Sequence, residues 1–301
     1  MLLAAASLPA ALLALLWVST SYADGVRSCG SCVESWSAES IGPTKPQEPT
    51  EPGRTLVELG SIGKEVISDA AYLVTSPLRI DGKSALILGG VAAGIGGLMV
   101  VDKPLQRAFQ ENRTSAGDDI AIGLETAGFA RTVLGANVAL IGTGWLFREH
   151  KAGNRLMHTA LVSLESQLFV EGIVGFTKFA VGRARPDTGE GVHSYEPFEN
   201  FDKSFPSSHA ARSFAVATVF ADRYEQPVPL IAYTLATLIS LSRIYQNEHF
   251  ASDAVAGAAL GFVVGKVLSW RHNQPDSRRW SVLPLVPEAR GGLGLTVQVR
   301  F

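Results

Sequence analysis

Cysteine is nearly missing from this chain. Cys29 and Cys32 are the only two in 301 residues, so covalent bracing stops at one short disulfide, closed in an oxidising compartment. No βαβ pattern surrounds them, which argues against a redox C-x-x-C centre. Charge is sparse as well. Only 18% of residues are charged, the net charge is −2 and no long basic run occurs, which removes the electrostatic footprint of nucleic-acid binding. Of the six histidines, His150, His158, His193 and His272 are scattered without a ligand spacing such as H-E-x-x-H. Loop or helix-surface positions are expected for these four, with no metal site and no cofactor. No internal repeat is present.

What the chain does have is apolar sequence. Hydrophobic residues make up 47%, enough to bury a large core. They gather into helix-patterned runs near 84–101, 132–147, 156–179, 209–222, 228–243 and 250–269, joined by polar loops. These runs predict an all-α fold, a six-helix bundle forming one domain over residues 56–272. Before it, Leu2 to Val18 is almost wholly apolar and leads into Ser19-Thr20-Ser21-Tyr22-Ala23, which predicts an export signal peptide over 1–23. No Lys or Arg precedes the run, so an uncleaved anchor stays open. Residues 24–55, with Pro43, Pro46, Pro49 and Pro52, read as a disordered linker. The tail, 273–301, alternates around Gly291-Gly292 and predicts a short C-terminal β-hairpin that seals one end of the bundle.

Three short stretches between Lys178 and Asp253 gather the polar chemistry. In the first, Lys178-x6-Arg185-Pro186, the two cations are seven residues apart and fall on nearly one helix face, where both can address one anion. Pro186 ends the run, leaving Arg185 at a helix end or on the loop beyond. In the second, Pro206-Ser207-Ser208-His209, serines precede an apolar run and mark a helix start, whose unpaired N–H groups suit a phosphate. In the third, Ser242-Arg243-x5-His249-x3-Asp253, Asp253 stacks one turn beyond His249 and is placed to accept a hydrogen bond from one imidazole nitrogen, leaving the other as a nucleophile. Each stretch alone has an ordinary explanation: dipole-compensating cations, a serine cap, a His–Asp cap.

All three occur in order, and together they resemble the type-2 phosphatidic acid phosphatase and vanadium haloperoxidase superfamily, whose signature is K-x6-R-P, P-S-G-H and S-R-x5-H-x3-D. The first and third elements match at every fixed position, while Ser208 stands where that family usually has glycine. A serine there narrows the pocket or adds a donor, and activity is expected to survive it. The resemblance implies a bundle of the acid phosphatase/vanadium haloperoxidase type and a metal-independent, cofactor-free phosphatase. In it His249 attacks phosphorus to form a phosphohistidine, Asp253 orients it, and His209 protonates the leaving alkoxide and then activates water. Lys178, Arg185, Arg243, Ser207 and Ser208 hold the phosphate oxygens. Glu171, seven residues before Lys178 on the same helix face, is placed to pair with it or to face water or a neighbouring helix, and Arg183, about 140° around that helix, is left outside the pocket. Arg212, Asp187, Asp202 and Lys203 lie near it in sequence.

The expected substrate is a phosphate monoester or pyrophosphate, with phosphorylated lipids the first expectation. A small soluble phosphate ester, haloperoxidase chemistry with vanadate, and non-catalytic phosphate or lipid binding are the alternatives. Location is expected in the cell envelope, exported, membrane-associated, at the periplasmic face of the inner membrane or in the periplasm. Crossing a bilayer takes about 20 apolar residues per helix, and Glu165, Gln167, Glu171 and Arg212 interrupt the runs, so the number of crossings stays open.

Overall fold

The structure, a computed structural model, describes residues 66–273, 280–285 and 294–299. The expected signal peptide, linker and Cys29–Cys32 disulfide lie outside the described residues, as does the Gly291-Gly292 turn. Eight α-helices rather than six occur among the described residues. They are α1 (Val66–Thr75), α2 (Gly82–Glu111), α3 (Ser115–Gly128), α4 (Ala130–Leu146), α5 (Lys151–Val181), α6 (Ser208–Arg223), α7 (Val228–Tyr245) and α8 (Ala251–Arg271).

Each of the six expected runs lies within one of these helices, apart from a residue at the end of the second run and at the start of the last, and the two additions are α1 and α3. The apolar pattern of α3 is interrupted by Gly117, Asp118, Asp119 and Gly123. Its signals are local: the Thr114 hydroxyl accepts from the Gly117 N–H at 3.1 Å, and Asp118 sits in the first turn where the helix dipole favours an acid. The helix α2 also runs past its expected end at 101, through Pro104, to Glu111. Two strands, β1 (Trp280–Leu285) and β2 (Gly294–Val299), pair antiparallel with Trp280 opposite Val299 and Leu285 opposite Gly294.

Up-and-down alternation organises the bundle. The start of α4 meets the second half of α5, where Gln167 Nε2 donates to the Ala130 carbonyl at 3.0 Å, and its end meets the start of α5, where a Cβ at Gly144 would lie 2.8 Å from the Gly153 carbonyl oxygen, so the two run antiparallel. The end of α2 reaches the end of α7, where the Gln110 amide donates to the Tyr245 carbonyl at 3.1 Å. One consequence follows from the alternation. The ends of α2, α5 and α7 and the starts of α4, α6 and α8 share one end of the bundle.

Small residues set the closest approach. Gly257, Gly261 and Gly265 recur every fourth residue on α8 and lie on one face. A Cβ at Gly257 would sit 2.4 Å from the Ser207 carbonyl oxygen, at Gly261 2.0 Å from that of Ala211, and at Gly265 2.6 Å from that of Ala215. The backbone of α6 therefore lies directly against α8. Around this seam Val162, Val170 and Val174 of α5, Ala211, Ala215 and Val219 of α6, and Val264 and Leu268 of α8 close a buried apolar cluster.

Among the described residues four helices, α2, α5, α7 and α8, are long and apolar enough to cross a membrane by length and composition. In α2 none of the most apolar stretch is buried inside the molecule, and Leu86, Val100, Phe176, Leu230 and Ile231 point outward from α2, α5 and α7. A helix that is apolar all round and yet unburied by protein is solvated by lipid.

Gly261→Leu should break the seam, because the new side chain meets backbone that cannot rotate away; a loss of at least about 1–3 kcal/mol is expected, read as a fall in the unfolding midpoint in detergent. Gly135→Ala, at a position with nothing within 4 Å of an added Cβ, should leave the midpoint unchanged or raise it.

Candidate active site

Local sequence brings every expected site residue to the shared end of the bundle. Lys178 lies in the last turn of α5, which stops because Gly182 adopts φ +66° and returns its N–H to the Lys178 carbonyl at 2.8 Å. A Cβ on Gly182 would strike the Glu196 carbonyl at 2.0 Å, so no other residue fits this stop. The helix thus ends before Pro186, and Arg185 sits on the loop as the cap of the short turn Pro186–Thr188. Ser207 caps α6 with its N–H on the Asp253 carbonyl at 3.0 Å, and Ser208 and His209 open the helix. Arg243 closes α7, its carbonyl accepting from the His249 N–H at 3.3 Å, and Asp253 lies in the first turn of α8.

The relation of His249 to Asp253 differs from the expectation. Nδ1 of His249 and Oδ2 of Asp253 are 3.9 Å apart, too far for a hydrogen bond. The Ser204 hydroxyl stands between them, 3.3 Å from Nδ1 and donating to Oδ2 at 2.5 Å. Asp253 acts on the imidazole through a serine. Both groups engage the Nδ1 side, which leaves Nε2 as the nitrogen for chemistry.

Arg183, set aside in the sequence because a helical wheel pointed it away, is central. The helix ends at Val181, so the wheel does not extend to it. Its guanidinium is fully buried and donates to Asp253 Oδ1 at 2.6 Å, Asp102 Oδ2 at 2.8 Å, Ser252 Oγ at 2.7 Å and the Val192 carbonyl at 3.0 and 3.2 Å, over the Phe250 ring at 4.3 Å. Asp102, in turn, accepts from the Ser252 N–H at 3.0 Å and from its hydroxyl. The carboxylate in the apolar run Val100-Val101-Asp102 was the one available signal, since a lone acid in such a run needs a buried cation.

The pocket cations have carboxylate partners. Arg185 pairs with Asp202 at 2.5 Å and with Glu248; Arg243 pairs with Glu125 at 2.7 Å, Glu248 at 3.5 Å and the Gln246 amide oxygen. Lys178 donates to the Lys203 carbonyl, and the buried Lys203 ammonium pairs with the exposed Glu196 and Glu199 at 2.6 and 2.7 Å. Glu171 binds Arg212 rather than Lys178. Asp187 stays in the exposed turn after Arg185. Four buried polar atoms of the predicted residues nevertheless have no hydrogen-bond partner: Arg185 Nε, Ser207 Oγ, His209 Nε2 and Arg243 Nε. The first-turn N–H groups of α6, at Ser208 and His209, have no carbonyl ahead of them in the helix.

Burial, and then the Arg243 and Arg212 charges, push the His209 imidazole down to about 2. Burial also lowers His249, to about 4, with the Lys178 and Arg185 charges adding and Asp253 opposing. Both rings are therefore neutral at pH 7. Of the other histidines, His150 and His193 are exposed as expected and His158 is half-buried. His272 departs from the surface reading, lying against Asp69 and Glu165 at the far end of α8.

The PAP2 superfamily matches residues 159–276. A lipid A 1-phosphatase of Porphyromonas gingivalis is 35% identical over 138 residues, covering 45% of this chain and 28% of that protein. A decaprenylphosphoryl-5-phosphoribose phosphatase of Mycobacterium tuberculosis is 32% identical over 109 residues, 36% of this chain and 58% of its own length. The aligned stretches thus span less than two thirds of these relatives. Among solved structures, a transmembrane PAP2 type phosphatidylglycerolphosphate phosphatase from Bacillus subtilis aligns with a TM-score of 0.47 at 22% identity, over 62% of this chain and 92% of that one.

Replacing Arg183 with Met leaves two buried carboxylates without their cation, and a loss of about 3–5 kcal/mol is expected; combining it with Asp102→Asn should recover part of that loss, measured by unfolding in detergent. The neutral histidines set an acid limit. The unfolded chain takes protons near pH 6.5 and the folded one only near 4 and 2, so their stabilisation is complete above about pH 6.5 and is lost as pH falls, about 2 kcal/mol each by pH 5. Between pH 7 and 5 the His209→Asn/His249→Asn double variant should therefore lose less stability than the parent chain.

Proposed function

Given that residues 159–276 match the PAP2 superfamily, we propose that the protein is a metal-independent phosphatase of phosphorylated lipids, working through a phosphohistidine. The observation that carries this reading is the set of four unpaired buried atoms on Arg185, Ser207, His209 and Arg243 at the start of α6. Leaving such atoms unmet costs free energy, and a tetrahedral oxyanion supplies acceptors for the three donors among them while the helix start supplies further N–H groups.

In the first step His249 Nε2 attacks phosphorus and the ester oxygen leaves with a proton from His209, giving the free alcohol and phosphohistidine. Water, deprotonated by His209, then displaces His249 and releases inorganic phosphate. At pH 7 His209 is neutral, with a single ring proton, because burial first and the surrounding cations second oppose its protonation. An arriving phosphate dianion offsets Arg243 and Lys178 and lets the ring take up the proton that it must deliver. Positive charge that develops on His249 is felt by Asp253 through Ser204, while Lys178, Arg185, Arg243, Ser207 and the Ser208 N–H steady the non-bridging oxygens.

Lipid substrates are favoured by four helices able to cross a membrane, beside a pocket at their ends. The relatives named as a lipid A 1-phosphatase and a decaprenylphosphoryl-5-phosphoribose phosphatase point the same way. The pocket faces the periplasm from the inner membrane.

Purified protein in detergent should release phosphate from phosphatidate, phosphatidylglycerophosphate or a polyprenyl diphosphate at least about tenfold more efficiently than from p-nitrophenyl phosphate. His249→Ala should lower turnover by about 10³-fold or more while phosphate binding persists. Wild-type rates in that variant would remove His249 as the nucleophile, and halide oxidation with added vanadate would favour the haloperoxidase reading.

A further inference from the structure

Far from the pocket, a second group of polar side chains converges from three helices. Asp69 comes from α1, Glu165 from the middle of α5, and His272 from the residue that follows α8. His272 Nε2 lies 2.9 Å from Glu165 Oε2 and 3.2 Å from Asp69 Oδ2, and one ligand atom from each residue lies within 4.8 Å of the other two. The three side chains are only 4–14% exposed. Nineteen residues of helix separate His272 from Asp253, about 28 Å at the helical rise, so none of these groups serves the phosphate pocket.

We propose that Asp69, Glu165 and His272 form a structural site for a divalent transition-metal ion, of which Zn2+ is the natural probe. One imidazole N–H points at one acceptor, yet two carboxylate oxygens crowd Nε2, and their like charges repel. A metal ion bonded to all three satisfies them together. Tetrahedral zinc bonds of about 2.0–2.2 Å place neighbouring ligand atoms about 3.3–3.5 Å apart, so the 2.9 and 3.2 Å separations need open only by a few tenths of an ångström. An imidazole with two carboxylates suits zinc-like ions better than Mg2+, which prefers oxygen ligands and retains several waters. Arg271 already holds the other oxygen of Asp69 and reaches the Ser68 hydroxyl at 3.2 Å, orienting the carboxylate from behind as supporting groups do around metals. The Arg271 guanidinium in turn lies over the Tyr72 ring at 4.6 Å, which ties it to α1. The ion would fasten α1 to the bundle.

The test uses the full chain in detergent, stripped with EDTA, in a Cys29→Ser/Cys32→Ser background so that the two thiols bind nothing. Isothermal titration with Zn2+ should give one equivalent per chain, with a rise of about 5 °C or more in the unfolding midpoint, and Co2+ should develop the visible bands of a tetrahedral site. Glu165→Gln and His272→Gln, each checked for native helicity by circular dichroism, should bind no ion and show no rise. Absence of zinc binding in the background protein would overturn the site, as would equal binding by both variants; chelation leaves turnover unchanged because the pocket is remote.

Discussion

One buried guanidinium decides where the pocket groups stand. Arg183 joins Asp102 of α2 to Asp253 of α8 from a loop that follows α5, and all three side chains are fully buried. Withdrawing three charges from water is unfavourable unless every donor is met, and here the guanidinium has partners on all three of its nitrogens. The geometry leaves little freedom. Asp253 is held by Arg183, by Ser204 and by the Phe250 N–H at 2.9 Å, so the imidazole beside it is positioned by a network rather than by a single bond. The triad carries one net negative charge, which favours a cationic ring at His249.

The pocket cations show the opposite arrangement. Glu125, Glu248 and Asp202 already balance Arg243 and Arg185, so these side chains are fixed in place without an anion. Preorganisation of this kind spares the reacting complex the cost of ordering long side chains. It also weakens the attraction for any anion. A bound phosphate must gain from the unpaired edges and the helix start what it loses to neighbouring carboxylates.

Much of this was legible in the residues, and the omissions have physical causes. The Lys178, Arg185, His209, Arg243, His249 and Asp253 positions were singled out by three short stretches and the resemblance that they carry together, and the structure gathers them at one end of the bundle. The roles of Arg183, Ser204, Asp102 and Glu125 depend on contacts across tens of residues, which no local period encodes. Arg183 was misplaced for a specific reason: Gly182 ends the helix, and the wheel that turned Arg183 away needs a helix that has already stopped. Six helices were expected because apolar periodicity is their signal, and α3 begins instead with a threonine cap and an acid. His272 looked isolated because its partners, Asp69 and Glu165, are more than one hundred residues away.

Alternation of the helices ties the sidedness of the pocket end to that of α1. Three traversals, α2, α4 and α5, separate Asp81 from Lys178, and that number is odd. Whichever compartment receives Val66–Thr75, the opposite one receives the chemistry when those three helices are fully inserted.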